Sequence, residues 1–265
     1  LSNEPREASK VTVTAEPAMA AARAAEVIGA KVVKVPLRKD GAHDLPAMLT
    51  AARQQPTGLL YVCNPNNPTG TITPRADIET LIAAKPDGAV VLIDEAYIHF
   101  CDEPPAVDLV RAGKDVMVLR TFSKVYGMAG LRAGFALARE DLLKRVTTWN
   151  AGAMPVTAMA AAHAMLREPD LVPARKRRNA ERRAALMRFL DGHGFAYTAS
   201  VSNKLMVDAR MPTPQVIEGL KERKVYVGRP WPVWPTHVRV SIGTDDEMAR
   251  FQAAFLAVTS AARVG

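Results

Sequence analysis

The chain has 265 residues, 48% of them hydrophobic, and a formal net charge of +8 at pH 7. These values indicate a globular protein of one or two domains and exclude a disordered chain. No uninterrupted run of about 18 apolar residues is present, which excludes a membrane-spanning helix. The two cysteines, Cys63 and Cys101, are too few for a disulfide-rich scaffold, and we expect both thiols to be inert.

Short apolar strands alternate with helices through the first part of the chain, after a polar start at residues 1–10. Hydrophobic periodicity and capping residues predict helices at 19–28, 44–52 and 74–84. The same patterns predict strands at 11–14, 31–35, 58–62, 89–93, 116–120 and 134–138. This alternation is typical of an α/β fold with a mostly parallel sheet that helices cover on both faces.

The character of the sequence changes after about Trp149. The patterns beyond it predict helices at 154–166, 172–190, 214–223 and 246–262, and strands at 203–207, 225–227 and 237–242. This order indicates a smaller C-terminal α+β domain that follows without a flexible linker. We therefore expect a large domain over residues 11–155 and a small domain over residues 156–265.

Four polar stretches fall on or just after predicted strands, and open α/β sheets bind their ligands beyond the strand ends. These stretches are Asn64–Gly70, Asp94–Tyr97, Ser123–Gly134 and Arg239–Gly243. In the third, Lys124 follows Ser123 and precedes a glycine-rich turn that leads to Arg132. A hydroxyl, a guanidinium and backbone N–H groups suit a phosphate, and a lysine shielded from water can attack a carbonyl group.

The first two stretches add groups that suit a heterocyclic ring. Asp94, at the end of a strand, can hold a protonated ring nitrogen, and Asn67 and Tyr97 can donate hydrogen bonds to a ring oxygen. Lysine, aspartate and a phosphate cradle together are what pyridoxal phosphate requires. The motifs therefore predict a pyridoxal-phosphate enzyme.

The chain resembles the fold-type I pyridoxal-phosphate aminotransferases, most closely the histidinol-phosphate aminotransferase branch. The resemblance runs from about Val11 to the C-terminus, and the order and spacing of the motifs both match. It implies a homodimer that transfers an amino group from an amino acid to a keto acid or aldehyde, with histidinol phosphate or an aromatic amino acid as substrate type. It implies small-molecule partners, with neither nucleic acid nor membrane. The cytoplasm is the expected location, and export is the alternative if a signal lies upstream.

The resemblance also assigns roles around the cofactor. It implies that Lys124 forms the internal aldimine and then shuttles the substrate proton, and that Asp94 pairs with the pyridinium nitrogen. It implies that Tyr97 and Asn67 donate hydrogen bonds to the phenolic oxygen of the cofactor.

Two further roles concern the anionic groups of cofactor and substrate. The resemblance makes Ser123 and Arg132 ligands of the cofactor phosphate. Arg239 matches the arginine that binds the substrate α-carboxylate in a two-pronged ion pair. Lys124, Asp94 and Tyr97 are thus the expected catalytic residues, and Arg239 is the expected substrate-binding residue.

The sequence departs from this family near its start. Family members carry a longer N-terminal segment, with a helix that binds the cofactor phosphate and residues that reach the partner subunit. Residues 1–10 resemble only a remnant of that segment. An aromatic residue that stacks on the cofactor is expected shortly after Pro17, where Ala18 and Met19 stand instead.

Two alternatives to an aminotransferase remain open at this point. One is a related pyridoxal-phosphate decarboxylase of a phosphorylated amino acid, which uses the same Lys124 and Asp94. The other is a degenerate or truncated chain that folds without catalysing a reaction, which the departures at the start of the sequence motivate.

Other polar residues have plainer interpretations. We expect His99 to be a packed or solvent-facing histidine, and the basic run Arg175–Arg183 to be a solvated helix face rather than a nucleic-acid site. Trp231 and Trp234 are expected in the core, and a wall of the substrate pocket is the alternative. A second contact for an anion is the minority interpretation of Arg229.

Overall fold

A computed structural model describes residues 11–16, 20–148 and 153–261 of the chain. Residues 1–10, the predicted N-terminal remnant, lie outside the described residues. Positions 17–19, where the ring-stacking residue is expected, lie outside them as well. Within the described ranges, no helix is long and apolar enough to cross a bilayer.

Six strands of the described residues form one sheet. They are β1 (Val11–Glu16), β2 (Val32–Pro36), β3 (Thr57–Cys63), β4 (Val90–Asp94), β5 (Val116–Thr121) and β6 (Gly134–Ala138). Their order across the sheet is β2-β1-β3-β4-β5-β6, with β1 to β5 parallel and β6 antiparallel to β5. The predicted α/β fold with a mostly parallel sheet is confirmed.

In the same described ranges, five α-helices connect these strands or follow them. They are α1 (Ala20–Val27), α2 (Leu45–Arg53), α3 (Arg75–Ala84), α4 (Val107–Arg111) and α5 (Glu140–Thr147). The predicted start of α2 is confirmed, because the Asp44 side chain accepts a hydrogen bond from the Ala47 N–H and caps the helix. The sequence patterns miss α4 because it has only 5 residues, and they miss α5 because half of its 8 residues are charged.

The side chains of β3 alternate between the two faces of the sheet, and this alternation decides which of them face the candidate site. Leu60 and Val62 of β3 pack into the main core beneath the sheet, together with buried residues of α2 and α3. Neighbouring side chains in a strand point to opposite faces, so Tyr61 and Cys63 face the other side.

The C-terminal part of the chain builds a second, smaller core. Its elements are α6 (Val156–Leu166), α7 (Leu171–Gly192), β7 (Lys204–Asp208), α8 (Thr213–Glu222), β8 (His237–Ser241) and α9 (Asp245–Ala261). β7 and β8 form an antiparallel pair whose apolar side chains pack against α7, α8 and α9. The exact division of the chain after residue 155 stays a prediction.

The predicted strand at 225–227 is wrong. The N–H of Val225 donates to the carbonyl of Leu220, as part of the end of α8, and the segment pairs with no strand in the described part of the chain. The N–H of Gly228 then donates to the carbonyl of Arg239. Three apolar residues in a row fit a loop that packs on a core as well as they fit a strand.

Candidate active site

A cavity of about 1130 Å³ opens at the carboxyl ends of β3, β4 and β5. In the sheet register Cys63 pairs with Asp94 and Asp94 pairs with Leu119, so the loops that follow the three strands begin side by side. All seven predicted site residues line this cavity: Asn67, Asp94, Tyr97, Ser123, Lys124, Arg132 and Arg239.

The carboxylate of Asp94 is oriented by two donors. The Tyr61 hydroxyl donates to Oδ2 at 2.7 Å, and the backbone N–H of Ala96 donates to Oδ1 at 3.0 Å. Burial raises the pKa of the Tyr61 phenol, which therefore keeps its proton and remains a donor. Sequence reasoning missed Tyr61, although strand alternation with the core residue Leu60 could have placed it on the cavity side.

Lys124 stands in a tight turn after β5. The N–H of Gly127 donates to the carbonyl of Lys124, and the N–H of Met128 donates to that of Phe122, both at 3.0 Å. Gly127 has a φ of +72°, a conformation that glycine adopts without steric cost. A firmly held turn thus carries a long side chain, whose Nζ lies 5.5 Å from the centroid of the Tyr97 ring.

The turn that leads into β6 holds Arg132 in an unusual conformation. Its φ is +57° and its ψ is +48°, in the left-handed region that residues other than glycine rarely occupy. Its Nη1 donates to the carbonyl of Ala129 at 2.8 Å. Such conformations persist where the surrounding structure imposes them, and they cluster at ligand-binding sites.

Arg239 reaches the cavity from the C-terminal sheet. Its neighbours in β8, Val238 and Val240, are buried in the smaller core, so Arg239 points the other way. Its Nη1 donates to Oδ1 of Asn67 at 3.0 Å, which links β8 to the loop after β3. Its buried Nε has no hydrogen-bond partner among the described residues, and an anionic ligand would supply one.

An aromatic wall stands next to Arg239. Trp231 is buried and lines the cavity, with the Arg229 guanidinium 3.9 Å and the Arg239 guanidinium 5.7 Å from its ring centroid. The pocket-wall interpretation therefore fits the position of Trp231. Trp234 lies instead beside His237 in a separate cleft.

A buried ion pair supports the floor of the cavity. Arg120, which lines the cavity, pairs with the carboxylate of Glu95 at 2.7 Å. The Nη1 of Arg120 also donates to Nε2 of His99 at 3.2 Å. Burial and the nearby guanidinium lower the pKa of His99 to about 4, which makes it a neutral acceptor. His99 is thus a packed histidine, as expected.

The basic side chains of α7 are engaged in contacts within the chain. Four basic side chains of α7 contact acceptors of this chain: Arg175, Lys176, Arg182 and Arg183. These contacts tie α7 to neighbouring loops.

The thiol of Cys63 is buried. Burial raises the pKa of this thiol to about 12, in keeping with an inert side chain.

Comparison with known proteins places the chain in a family. The model of the family "Aminotransferase class I and II" matches residues 20–255. The chain belongs to the class I and II aminotransferases. The predicted resemblance is confirmed at this level.

Named relatives of this chain point to one branch of the family. The chain is 33% identical over 235 residues to the histidinol-phosphate aminotransferase of Shouchella clausii, across 86% of this chain and 63% of the relative. It is 38% identical over 245 residues to that of Symbiobacterium thermophilum, across 90% and 67%. The chain therefore spans about two thirds of the length of these curated relatives.

A solved structure shows the same fold. Histidinol-phosphate aminotransferase from Sinorhizobium meliloti, in complex with pyridoxal-5'-phosphate, superposes with a TM-score of 0.86 at 26% identity. The superposition covers 97% of this chain and 72% of that one.

Proposed function

We propose that this chain is a pyridoxal-phosphate-dependent aminotransferase with a histidinol-phosphate type of substrate. The observation that carries the proposal is that Lys124, Asp94 and Arg239, which are far apart in sequence, line one cavity. The names of the relatives support the substrate type, and the S. meliloti complex supports the cofactor.

The donors and acceptors of the cavity fit pyridoxal phosphate. Lys124 offers an amine to the aldehyde, and Asp94 offers an oriented carboxylate to the ring nitrogen. Ser123 and Arg132 offer a hydroxyl and a guanidinium to the phosphate. When bound, this cofactor supplies an electron-accepting ring that stabilises negative charge at the substrate α-carbon.

Residues of the chain have separate roles in the proposed reaction. Lys124 Nζ would hold the cofactor through its aldehyde carbon, and once released it would take the proton from the substrate α-carbon and deliver it to that cofactor carbon, C4′. Asn67 and Tyr97 hold the ring oxygen, because both side chains line the cavity with groups that can donate. Arg239 binds the α-carboxylate of the amino acid substrate and so orients the bond that loses its proton.

A matched pair of Arg239 variants tests the substrate contact. We expect Arg239→Gln to raise KM for the amino donor about 10- to 100-fold, because a charged hydrogen-bond donor to the carboxylate is lost. Arg239→Lys should recover only part of the loss, since an ammonium lacks the two-pronged geometry. The control, Arg223→Gln at the exposed end of α8, should keep the original KM. An unchanged KM in Arg239→Gln would contradict this role.

Tracing the amino group tests the reaction itself. Protein loaded with pyridoxal phosphate is incubated with 15N-labelled L-glutamate and a panel of keto acids and ketones that includes the ketone derived from histidinol phosphate, and in parallel with a phosphorylated amino acid. We expect label in the aminated acceptor, one keto acid formed for each amino group moved, and no carbon dioxide. Release of carbon dioxide would replace the aminotransferase with the decarboxylase. Absence of both products would support the degenerate chain.

The homodimer and the cytoplasmic location are also parts of the proposal. Val27, the last residue of α1, and Ile28, which follows it, are 79% and 75% exposed, and both line the cavity. Such apolar residues suit an interface with a second copy of the chain. Sedimentation analysis should give the mass of two chains, whereas a monomer with full activity would contradict the dimer.

A further inference from the structure

Lys204, the first residue of β7, is a buried lysine beside the proposed active site. Its exposed fraction is 3%, and its Nζ has no hydrogen-bond partner among the described residues. Removing an unpartnered amine from water is costly. Burial accordingly lowers the pKa of Lys204 well below its usual value. An amine in this situation contributes little to stability, which points to another role.

Strand alternation accounts for the direction of this side chain. Leu205 and Val207 of β7 face the smaller core, so Lys204 points to the opposite face of the strand. Met206 lies directly across the ladder from Arg239, the proposed carboxylate ligand. Lys204 therefore points to the same side of the strand pair as Arg239.

The backbone at Lys204 is held firmly. Its carbonyl accepts hydrogen bonds from the hydroxyls of Ser200 and Ser202. Gly70, at the end of the loop after β3, packs so closely that a Cβ there would lie 2.6 Å from the Lys204 carbonyl oxygen. The start of β7 thus packs closely against the loop that carries Asn67, which restricts movement of the Lys204 backbone.

The amine of Lys204 lies against the ring of Tyr97. Its Nζ is 2.8 Å from the ring centroid, while Nζ of Lys124 is 5.5 Å from the same centroid. Tyr97 lines the cavity and Lys204 does not. The other charged or titratable groups near Lys204 Nζ are Cys63, Asp94, Lys124 and Arg239.

We propose that Lys204 is a positioning residue that fixes the Tyr97 ring beside Lys124. The proposal rests on the proposed function, in which the Tyr97 hydroxyl holds the cofactor ring. Lysine suits this place chemically, because its long chain reaches the ring and its amine cannot form an ion pair with Lys124. A carboxylate here would attract the Lys124 amine and restrain the group that must move the proton.

A fluorine label on cofactor-free protein tests the contact directly. The five tyrosines are replaced biosynthetically by 3-fluorotyrosine, and the Tyr97 signal is assigned by its loss in Tyr97→Phe. A ring that does not flip gives two resonances, one for each position of the fluorine. We expect two resonances from Tyr97 in the original chain and one averaged resonance in Lys204→Met, which removes the amine.

Kinetics of the loaded enzyme tests the consequence. We expect Lys204→Met to lower kcat about 10- to 100-fold, because small misplacements of active-site groups have effects of this size. KM for the amino donor should change less than about threefold, since Arg239 is untouched. The melting temperature should not fall, because a costly buried amine has been removed. The control, Lys221→Met on the exposed face of α8, should match the original chain in every measurement.

Two outcomes overturn the proposal, and both are separable from failure of the proposed function. An unchanged Tyr97 signal in Lys204→Met excludes the restraint, and an unchanged kcat excludes its importance. If the original chain itself transfers no amino group, the proposed function fails, while the fluorine measurement still decides whether Lys204 holds Tyr97.

Discussion

Lys124→Ala is expected to abolish amino transfer. The side chain has two tasks in the proposed reaction, since it holds the cofactor and moves the substrate proton. Loss of the proton transfer alone should lower kcat about 100- to 10,000-fold. Lys124 stands in a turn held by backbone hydrogen bonds that do not involve its amine, so the variant should fold and keep its melting temperature.

The measurement is a single-turnover assay of the loaded protein with L-glutamate. Lys144→Ala is the matched control, because that lysine is exposed on α5 and its ion pair in the described part of the chain is with Glu140. We expect the control to react at the original rate. Equal rates for Lys124→Ala and Lys144→Ala would show that another group moves the substrate proton and would contradict the role assigned to Lys124.

Asp94→Asn has the second largest expected effect. The change keeps the shape of the side chain and removes the negative charge that faces the cofactor nitrogen. Removing one electrostatic partner of developing charge lowers kcat by about 100- to 1,000-fold in comparable sites. The affinity for pyridoxal phosphate should fall as well, because the charged hydrogen bond to the ring is weakened.

Tyr61→Phe provides a graded comparison for Asp94→Asn. It removes only the hydroxyl that donates to Oδ2 at 2.7 Å and leaves the carboxylate in place. The expected loss in kcat is about tenfold, which corresponds to about 1.4 kcal/mol and lies near the lower end of the range for a hydrogen bond to a charged group. If Asp94→Asn retained full activity while Tyr61→Phe lost it, the charge of Asp94 would not be what the reaction uses.

The motifs located most of the candidate site in advance because its members follow adjacent parallel strands. Asn67, Asp94 and Lys124 each follow or end a short apolar strand, and parallel strands end at one edge of a sheet. Arg239 is different, since only the resemblance to a family linked it to residues more than a hundred positions earlier. The structure adds its hydrogen bond to Asn67.

Other members of the site depend on tertiary contacts that no local pattern shows. Tyr61 reads as one more hydrophobic residue of β3 until the register with β4 sets its hydroxyl against Asp94. In the sequence Lys204 resembles a polar residue at the start of a strand, and only the fold buries it and places its amine against the Tyr97 ring. The prediction of a strand at 225–227 is wrong for the opposite reason, because the apolar residues of this segment pack on a core without a partner strand.

The most direct test of the central assignment is the visible absorption spectrum of the protein with added pyridoxal phosphate, recorded before and after L-glutamate. We predict a visible band that is absent in Lys124→Ala and that shifts to shorter wavelength when the amino donor is added. The shifted band should return to its original position when a keto acid acceptor follows. A band that forms equally in Lys124→Ala, or that no amino acid donor shifts, would contradict the account.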